Sequence, residues 1–412
     1  MSRSKERLVV VGNGMASLRF LERLAIHASG RFDLTVIGAE ASPAYNRILL
    51  SALLAGEMDD AACRFRDAAW YDSQGIRLLT GQAASAIDAA SRTVRVGDAT
   101  LPYDRLVLAT GSTPIRLQKP GMSLPGVVAF RDMAHVDAMR AVAQRGAKAV
   151  VIGGGLLGLE AAYGLARRGV GVTLLHVMDR LMERQLDGQA ARLVLRAMEA
   201  KGVRVLLEAD TAACLGTERV EAVLLADGRV LPADLVVVAV GVRPFVDLAR
   251  EAGLAVGRGI QVDDRLMTSA PAISAIGECV EHRGLVYGLV EPGYEQAELL
   301  ARHLGGFPAA YQGSVLATSL KVSGLPVFSA GSIGDDVPGE RIVLSDRFAG
   351  IYRKLVLHEG RLVGALLIGD VAESRWYLDL IRSGEPVGRF RNALMFGRPA
   401  PAAQHEPQRL AA

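Results

Sequence analysis

Two short stretches of this chain could hold a phosphorylated ligand largely through backbone. In the first, the apolar run Leu8-Val9-Val10-Val11 stops at Gly12-Asn13-Gly14-Met15-Ala16-Ser17, and an amphipathic stretch follows. The pattern predicts a strand, a tight turn and a helix. Gly12 permits the turn, Gly14 removes a side chain where a pyrophosphate would approach, and the N–H groups of the new helix favour an anion. Ser17 stands where the usual fingerprint has a third glycine, so this turn alone is equally compatible with a plain strand-to-helix connection. The second stretch, Lys148-Ala149-Val150-Val151-Ile152-Gly153-Gly154-Gly155-Leu156-Leu157-Gly158-Leu159-Glu160, repeats the pattern with Gly153, Gly155 and Gly158 at all three positions. Two such units predict two bound dinucleotides, because the plain reading would have to hold twice in the same arrangement.

Further residues sit where such units need them. Glu40 follows the second predicted strand, 26 positions after Gly14, slightly beyond the usual distance for an acid that accepts from a ribose hydroxyl. The competing reading is a solvated loop acid. Arg47, in Ser42-Pro43-Ala44-Tyr45-Asn46-Arg47, offers a planar multi-donor fork that could clamp a diphosphate, or it is a surface arginine. Leu106-Val107-Leu108-Ala109-Thr110-Gly111 reads as a buried parallel strand whose carboxyl end faces a ligand. Leu235 to Gly241 repeats that ending.

The elements that must position these residues follow from periodicity. A helix of about 15 residues after Gly14 carries Leu18, Leu21, Leu24 and Ala25 at helical spacing. Strands are expected at Asp33 to Ile37, Arg77 to Leu79 and Thr93 to Val96, then a helix over Leu156 to Arg168 and a strand over Gly171 to Leu175. From Pro326 to Arg398, short strands at Ile342 to Leu344, Tyr352 to Leu357 and Leu362 to Ile368 combine with one helix around Ser374 to Ser383, a small α+β domain. The Pro- and Ala-rich stretch 399–412 reads as a disordered tail.

Composition sets the class. The chain has 412 residues, 50% apolar and 22% charged, which predicts a globular protein of two or three domains. A net charge of +3 points to neither nucleic acid nor a membrane surface as partner. No apolar run is long enough to span a bilayer, and the charged N-terminus shows no signal segment, so a cytoplasmic location is expected. Cys63, Cys214 and Cys279 are scattered, which argues against a disulfide framework, a metal site, an iron–sulfur cluster or a C-x-x-C redox pair.

Beyond the glycine turns, the chain carries Tyr45-Asn46-Arg47, Ala109-Thr110-Gly111-Ser112, Leu181-Met182-Glu183-Arg184-Gln185-Leu186-Asp187 and Ala275-Ile276-Gly277-Glu278-Cys279. Tyr287 to Tyr294, Lys321-Val322-Ser323-Gly324 and Trp376 to Ile381 follow. On these motifs, over nearly its whole length, it resembles the two-dinucleotide-domain flavoprotein disulfide-reductase superfamily. Within that group it is most similar to the flavin part of assimilatory nitrite reductase and to the electron-transfer flavoprotein subunit of assimilatory nitrate reductase. The resemblance implies an α/β protein with two Rossmann-like domains, the nicotinamide-binding one (119–245) inserted in an FAD-binding one (1–118 and 246–325), and a C-terminal α+β domain (326–398).

Carried over residue by residue, the resemblance implies that Gly12, Gly14, Met15 and the helix start with Ser17 hold the FAD pyrophosphate. Glu40 would hold the adenosine ribose, Arg47 the diphosphate, Ala83 the adenine through its backbone, and Thr110-Gly111 would pass along the cofactor. Gly277-Glu278 stands where relatives have Gly-Asp on the ribityl chain, and Pro292-Gly293-Tyr294 would open a helix, Glu295 to Leu304, whose positive end faces the flavin. Gly153, Gly155 and Gly158, with Gly241 at the neighbouring strand end, would cradle NADH or NADPH. Glu160 matches a catalytic acid near the nicotinamide, or it merely complements the helix dipole. His176 stands where an NADH enzyme would carry an acid, and nearby Arg180 could serve a 2′-phosphate; NADH is favoured on family grounds and NADPH stays open.

Two departures matter. Ser51 is followed by Ala52, where ferredoxin-reductase relatives have a lysine near the flavin, and no cysteine lies between Gly12 and Met58, so electrons must leave straight from the flavin. The implied function is an FAD-dependent NAD(P)H oxidoreductase feeding a redox protein, a nitrate or nitrite reductase component. A ferredoxin or rubredoxin reductase of another pathway and a non-turnover nicotinamide sensor are the alternatives. Trp376 and Tyr377 could meet the flavin side or a partner, though core packing is the stronger reading, and a homo-oligomer stays open.

Overall fold

The computed structural model describes residues 5–144, 146–322 and 324–398. The expected tail, 399–412, and Ser323 of the Lys321-Val322-Ser323-Gly324 motif lie outside the described residues, as does the start of the charged N-terminus. The chain divides into two compact units, one running to Asp179 and including Met198–Leu316, the other joining Arg180–Ala197 to the chain from Ala317 onward.

The first unit contains two five-stranded sheets with the same spatial order. In one, Ile273–Ala275, Arg105–Leu108, Glu6–Val11, Phe32–Ile37 and Ile76–Leu79 lie side by side, every pair parallel. In the other the order is Val127–Ala129, Leu235–Val238, Lys148–Ile152, Gly171–Leu175 and Arg204–Leu206, again all parallel. The strand leading into the glycine turn is central in both. The first sheet takes its last strand, Ile273–Ala275, from chain that returns after the second sheet is complete, so the second dinucleotide fold is an insertion in the first.

Strands covered on both faces need apolar residues at every position. In the first sheet Leu8, Val10 and Val107 pack with Leu18, Leu21, Leu24 and Leu300 on one face. Val9, Val11, Leu106 and Leu108 pack with Ile273 on the other, as the two-residue period of a strand requires. The helix after the first turn is Met15–His27, and Ala25, expected on its buried face, is exposed. The two crossings between the halves form a ribbon, Ser112–Pro114 antiparallel to Val242–Pro244, and Thr110 Oγ1 donates to the Phe245 carbonyl at 2.8 Å. The strand expected to reach Gly241 stops at Val238, because Gly241 turns out of the sheet with φ +112°.

The second unit holds an antiparallel sheet in the order Ala317–Val322, Leu325–Gly331, Arg361–Ile368, Ile351–His358, Glu340–Asp346, with the Ser374–Ser383 helix packed on it. It begins at Ala317 rather than Pro326, because Ala317–Val322 pairs along its full length with Leu325–Gly331. Arg180–Ala197, expected within the 119–245 domain, belongs to this unit. Asp187 accepts from Tyr352 Oη at 2.6 Å and lies 3.4 Å from the buried Lys354 Nζ, so separating them would strand a buried ammonium. Trp376 stacks at 5.1 Å from Tyr377 and 5.6 Å from Phe390 in the core of this unit. Among the described residues no helix is long and apolar enough to cross a membrane, and no cluster of three His, Cys, Asp or Glu is placed to hold a metal ion.

Candidate dinucleotide sites

The first turn is a cradle that only glycine can build. Gly12 has φ +109°, and a Cβ on it would lie 2.1 Å from the Ala109 carbonyl oxygen. A Cβ on Gly14 would meet nothing within 4 Å. Gly14 caps the Met15–His27 helix without any side-chain hydrogen bond, so no side-chain cap competes with an anion for the first helical N–H groups. The cleft in front of them is lined by Gly12, Gly14, Met15, Glu40, Arg47, Thr110, Gly111, Gly277 and Glu278, nine of the residues singled out from sequence.

Charged groups in this cleft are held by one another. Tyr45 Oη donates to Glu40 Oε2 at 2.6 Å, and Arg47 pairs with the other Glu40 oxygen while donating to the Arg131 carbonyl at 3.0 Å. Arg47, read as a diphosphate clamp, lines the cleft, and its guanidinium also orients the carboxylate read as the ribose acceptor. Burial, with the Glu40 carboxylate adding to it, pushes the Tyr45 hydroxyl well above its ordinary pKa, so it stays a donor to Glu40. On the opposite wall Glu278 accepts from Ser112 Oγ at 2.7 Å and pairs with Arg131. Buried Gln296 accepts from the Gly277 N–H at 2.7 Å, fixing the turn that presents Glu278.

Arg131, Asp132 and Gln296 were missed in the sequence. Arg131 and Asp132 stand between the Val127–Ala129 strand and the Met133–Val142 helix of the inserted half, yet they line the cleft of the first. Met133 N–H donates to Tyr45 Oη at 3.2 Å across the same seam. Their one sequence signal is an Arg-Asp pair at a helix start, which carries no information about the distant turn it meets.

Three expected residues do not line the cleft. Ser17 is fully buried beneath the helix, Ala83 is exposed, and Tyr294 faces a separate shallow groove with Arg19 over its ring at 5.5 Å. The helix expected from Pro292 begins at Val290, with Pro292 in its first turn, where no N–H is needed. Leu289, Val290 and Gly293 are therefore the residues that this helix end brings to the cleft.

The second turn repeats the cradle more tightly. Gly153 has φ +119° and its Cβ would lie 2.3 Å from the Ala239 oxygen, Gly155 is open, and a Cβ on Gly158 would fall 1.8 Å from the Gly153 oxygen. The Leu156–Arg167 helix is again capped by glycine with no side-chain bond. His176 is buried and its Nδ1 accepts from the Gly154 N–H at 3.1 Å, which assigns the ring proton to Nε2. The ring that replaces the usual acid is thus engaged with the turn itself. Arg180, expected to assist at a 2′-phosphate, belongs to the second compact unit. Glu160, one turn into the helix, is pushed up to about 7 by burial alone.

Residues 6–298 match the model of the pyridine nucleotide-disulphide oxidoreductases, and residues 317–385 match the rubredoxin NAD+ reductase C-terminal domain. The chain is 46% identical over 380 residues to a nitrite reductase [NAD(P)H] of Bacillus subtilis (strain 168), covering 92% of this chain and 47% of that protein. It is 44% identical over 379 residues to the assimilatory nitrate reductase electron transfer subunit of the same organism, covering 91% and 49%. It thus spans about half the length of these curated relatives. The reductase in a covalent putidaredoxin reductase–putidaredoxin crystal structure superposes with a TM-score of 0.86 at 26% identity, covering 93% of this chain and 94% of that one. These likenesses bear out the resemblance read from the motifs. With the paired glycine cradles in two sheets of one strand order, they establish that the chain belongs to the pyridine nucleotide-disulphide oxidoreductase family.

Proposed function

We propose that this chain is an FAD-dependent NAD(P)H oxidoreductase that binds FAD at the Gly12 turn and the nicotinamide cofactor at the Gly153 turn, and reduces a redox-protein acceptor. The observation that carries this reading is the pair of open, side-chain-free cradles at Gly14 and Gly155 within one compact unit. When bound, FAD supplies the conversion of a two-electron donor's hydride into single electrons for a protein. The residues hold and orient. The uncapped N–H groups at Met15 receive the pyrophosphate, Glu40, fixed by Tyr45 and Arg47, accepts from the ribose, and Glu278, fixed by Ser112 and Arg131, faces the polar chain between ribose and ring. Gly153, Gly155 and Gly158 receive the second pyrophosphate, with His176 bracing Gly154. Glu160, protonated in part near neutral pH, offers a proton-holding group at the nicotinamide end.

The proposed acceptor is a nitrate or nitrite reductase component, which the identities to the Bacillus proteins support. A ferredoxin- or rubredoxin-type acceptor is the second reading, favoured by the C-terminal match and the putidaredoxin reductase likeness. Anaerobic mixing of the FAD-loaded protein with NADH or NADPH, followed by each acceptor, tests both. Flavin bleaching by NADH and recovery with the nitrate or nitrite reductase protein is expected. Absence of bleaching by either nicotinamide would overturn the oxidoreductase reading, and bleaching by NADPH alone would overturn the preference for NADH.

A further inference from the structure

The two halves of the first unit meet at a short helix, Leu50–Ala55, which follows the cleft-lining Arg47 through the single turn Arg47–Leu49. This helix belongs to the flavin half, yet its carboxyl end is held by the nicotinamide half. Arg140 Nη2 donates to the Leu53 carbonyl at 3.1 Å, Arg168 Nε donates to the Leu54 carbonyl, and Tyr163 Oη donates to Glu57 at 2.9 Å. Arg168 therefore caps the Leu54 carbonyl in the last turn of the helix, and Arg140 adds a second donor to the Leu53 carbonyl that the Gly56 N–H already bonds.

Between these bonds lies a notch. Leu54 is fully buried against Gly164, and a Cβ on Gly164 would lie 2.8 Å from Leu54 Cγ, 2.9 Å from Cδ2 and 3.2 Å from Cβ. Helix interiors disfavour glycine by roughly 1 kcal/mol against alanine, so its presence in Leu156–Arg167 asks for a reason, and its φ is not one, being ordinary. The contact supplies it: no other residue lets the two helices come this close. Glu160 is one turn before Gly164, on the same face of the helix whose start is the nicotinamide cradle.

We propose that Gly164 is a positioning residue for hydride transfer: by seating Leu54 it sets how closely the nicotinamide-binding helix approaches the flavin half, and so the spacing of the two bound rings. The inference rests on the functional reading above. A methyl group at 164 must push the helices apart by a fraction of an ångström, because buried Leu54 has no room to turn aside. Displacements of about 1 Å cost up to about a hundredfold in rate.

The test uses the full chain. Gly164→Ala is expected to keep its FAD and its apparent affinity for NADH, to lower the limiting rate of anaerobic flavin reduction by roughly tenfold, and to weaken the long-wavelength flavin–nicotinamide charge-transfer band. In FAD-free protein, hydrogen exchange in Leu50–Ala55 should quicken. Adding Leu54→Ala, which removes both close atoms, should restore rate, band and exchange toward wild type. Arg168→Gln, which removes one carbonyl cap without crowding, should slow reduction in the same direction but only two- to threefold, and it serves if Gly164→Ala does not fold. Wild-type rates in both single variants, or a slow Gly164→Ala that Leu54→Ala does not rescue, would overturn the proposal alone. Wild-type protein that binds FAD and is not bleached by NADH or NADPH would overturn the functional reading beneath it.

Discussion

The two dinucleotide folds are built on one plan but differ in tolerance. Shifted by the spacing of Gly12 and Gly153, the turns align position for position in sequence, and both first glycines sit at positive φ against the carbonyl of the neighbouring strand end, Ala109 or Ala239. At the third position they part. Ser17 is accommodated beneath its helix, whereas a Cβ at Gly158 would strike the Gly153 oxygen at 1.8 Å. The inserted half therefore packs its helix closer to its own turn. Two register positions on, one half carries Arg19 over Tyr294 and the other the half-buried Glu160. The relaxed fingerprint at Ser17 reflects how far its helix stands off the turn.

The largest effects should come from breaking one cradle at a time. Gly12→Ala combines a left-handed backbone with a 2.1 Å clash and is expected to abolish FAD retention, a loss of more than about a hundredfold in affinity, read from the flavin-to-protein absorbance ratio after gel filtration. Gly153→Ala should leave FAD bound and abolish reduction by nicotinamide. If folded Gly153→Ala lost its FAD as well, the independence of the two sites would be wrong. Gly158→Ala, at an ordinary φ, should weaken nicotinamide binding roughly ten- to hundredfold, measured as the apparent Kd for flavin bleaching.

Glu160 sharpens the difference through pH. Its folded value of about 7 lies above the ordinary 4.5, so its contribution to stability is present below about 4.5 and is lost as pH rises through about 7. Glu160→Gln should therefore gain on the order of 1–3 kcal/mol over wild type at pH 8 and little at pH 4.5, seen as a Tm difference that opens with pH. An unchanged difference across that range would show that the carboxyl titrates normally. Tyr45→Phe removes one of the bonds that orient Glu40 and should weaken FAD binding by about 1 kcal/mol, near fivefold, by fluorescence titration. Smallest is Ser17→Ala: Ser17 Oγ is buried without a partner among the described residues, so the variant should be neutral or gain up to about 1 kcal/mol, with FAD retention unchanged.

Much of the site was legible because it is backbone. A glycine turn between an apolar strand and an amphipathic helix is a local code, and Gly12, Gly14, Gly153, Gly155 and Gly158 could be read without knowing what lay opposite. Glu40 and Glu278 were legible by spacing and resemblance. Arg131 was not, because its use depends on a chain crossing that brings the inserted half to the flavin cleft. Ser17 and the Ala83 backbone were read as cofactor contacts; neither residue lines the cleft, Ser17 being buried under its helix and Ala83 exposed, a difference the turn pattern does not encode.

By itself the sequence determined the periodic elements, the doubled glycine turn and the family, because strand and helix period, glycine freedom and turn chemistry act over a few residues. Tertiary structure alone decided which charges pair. Arg47 turned to Glu40, Arg131 reached Glu278, His176 took the Gly154 N–H, and Arg180–Ala197 joined the C-terminal sheet through Asp187. The physical reason is that a buried charge or polar group must find its partner in space, and sequence separation says nothing about which partner the fold brings within 3 Å.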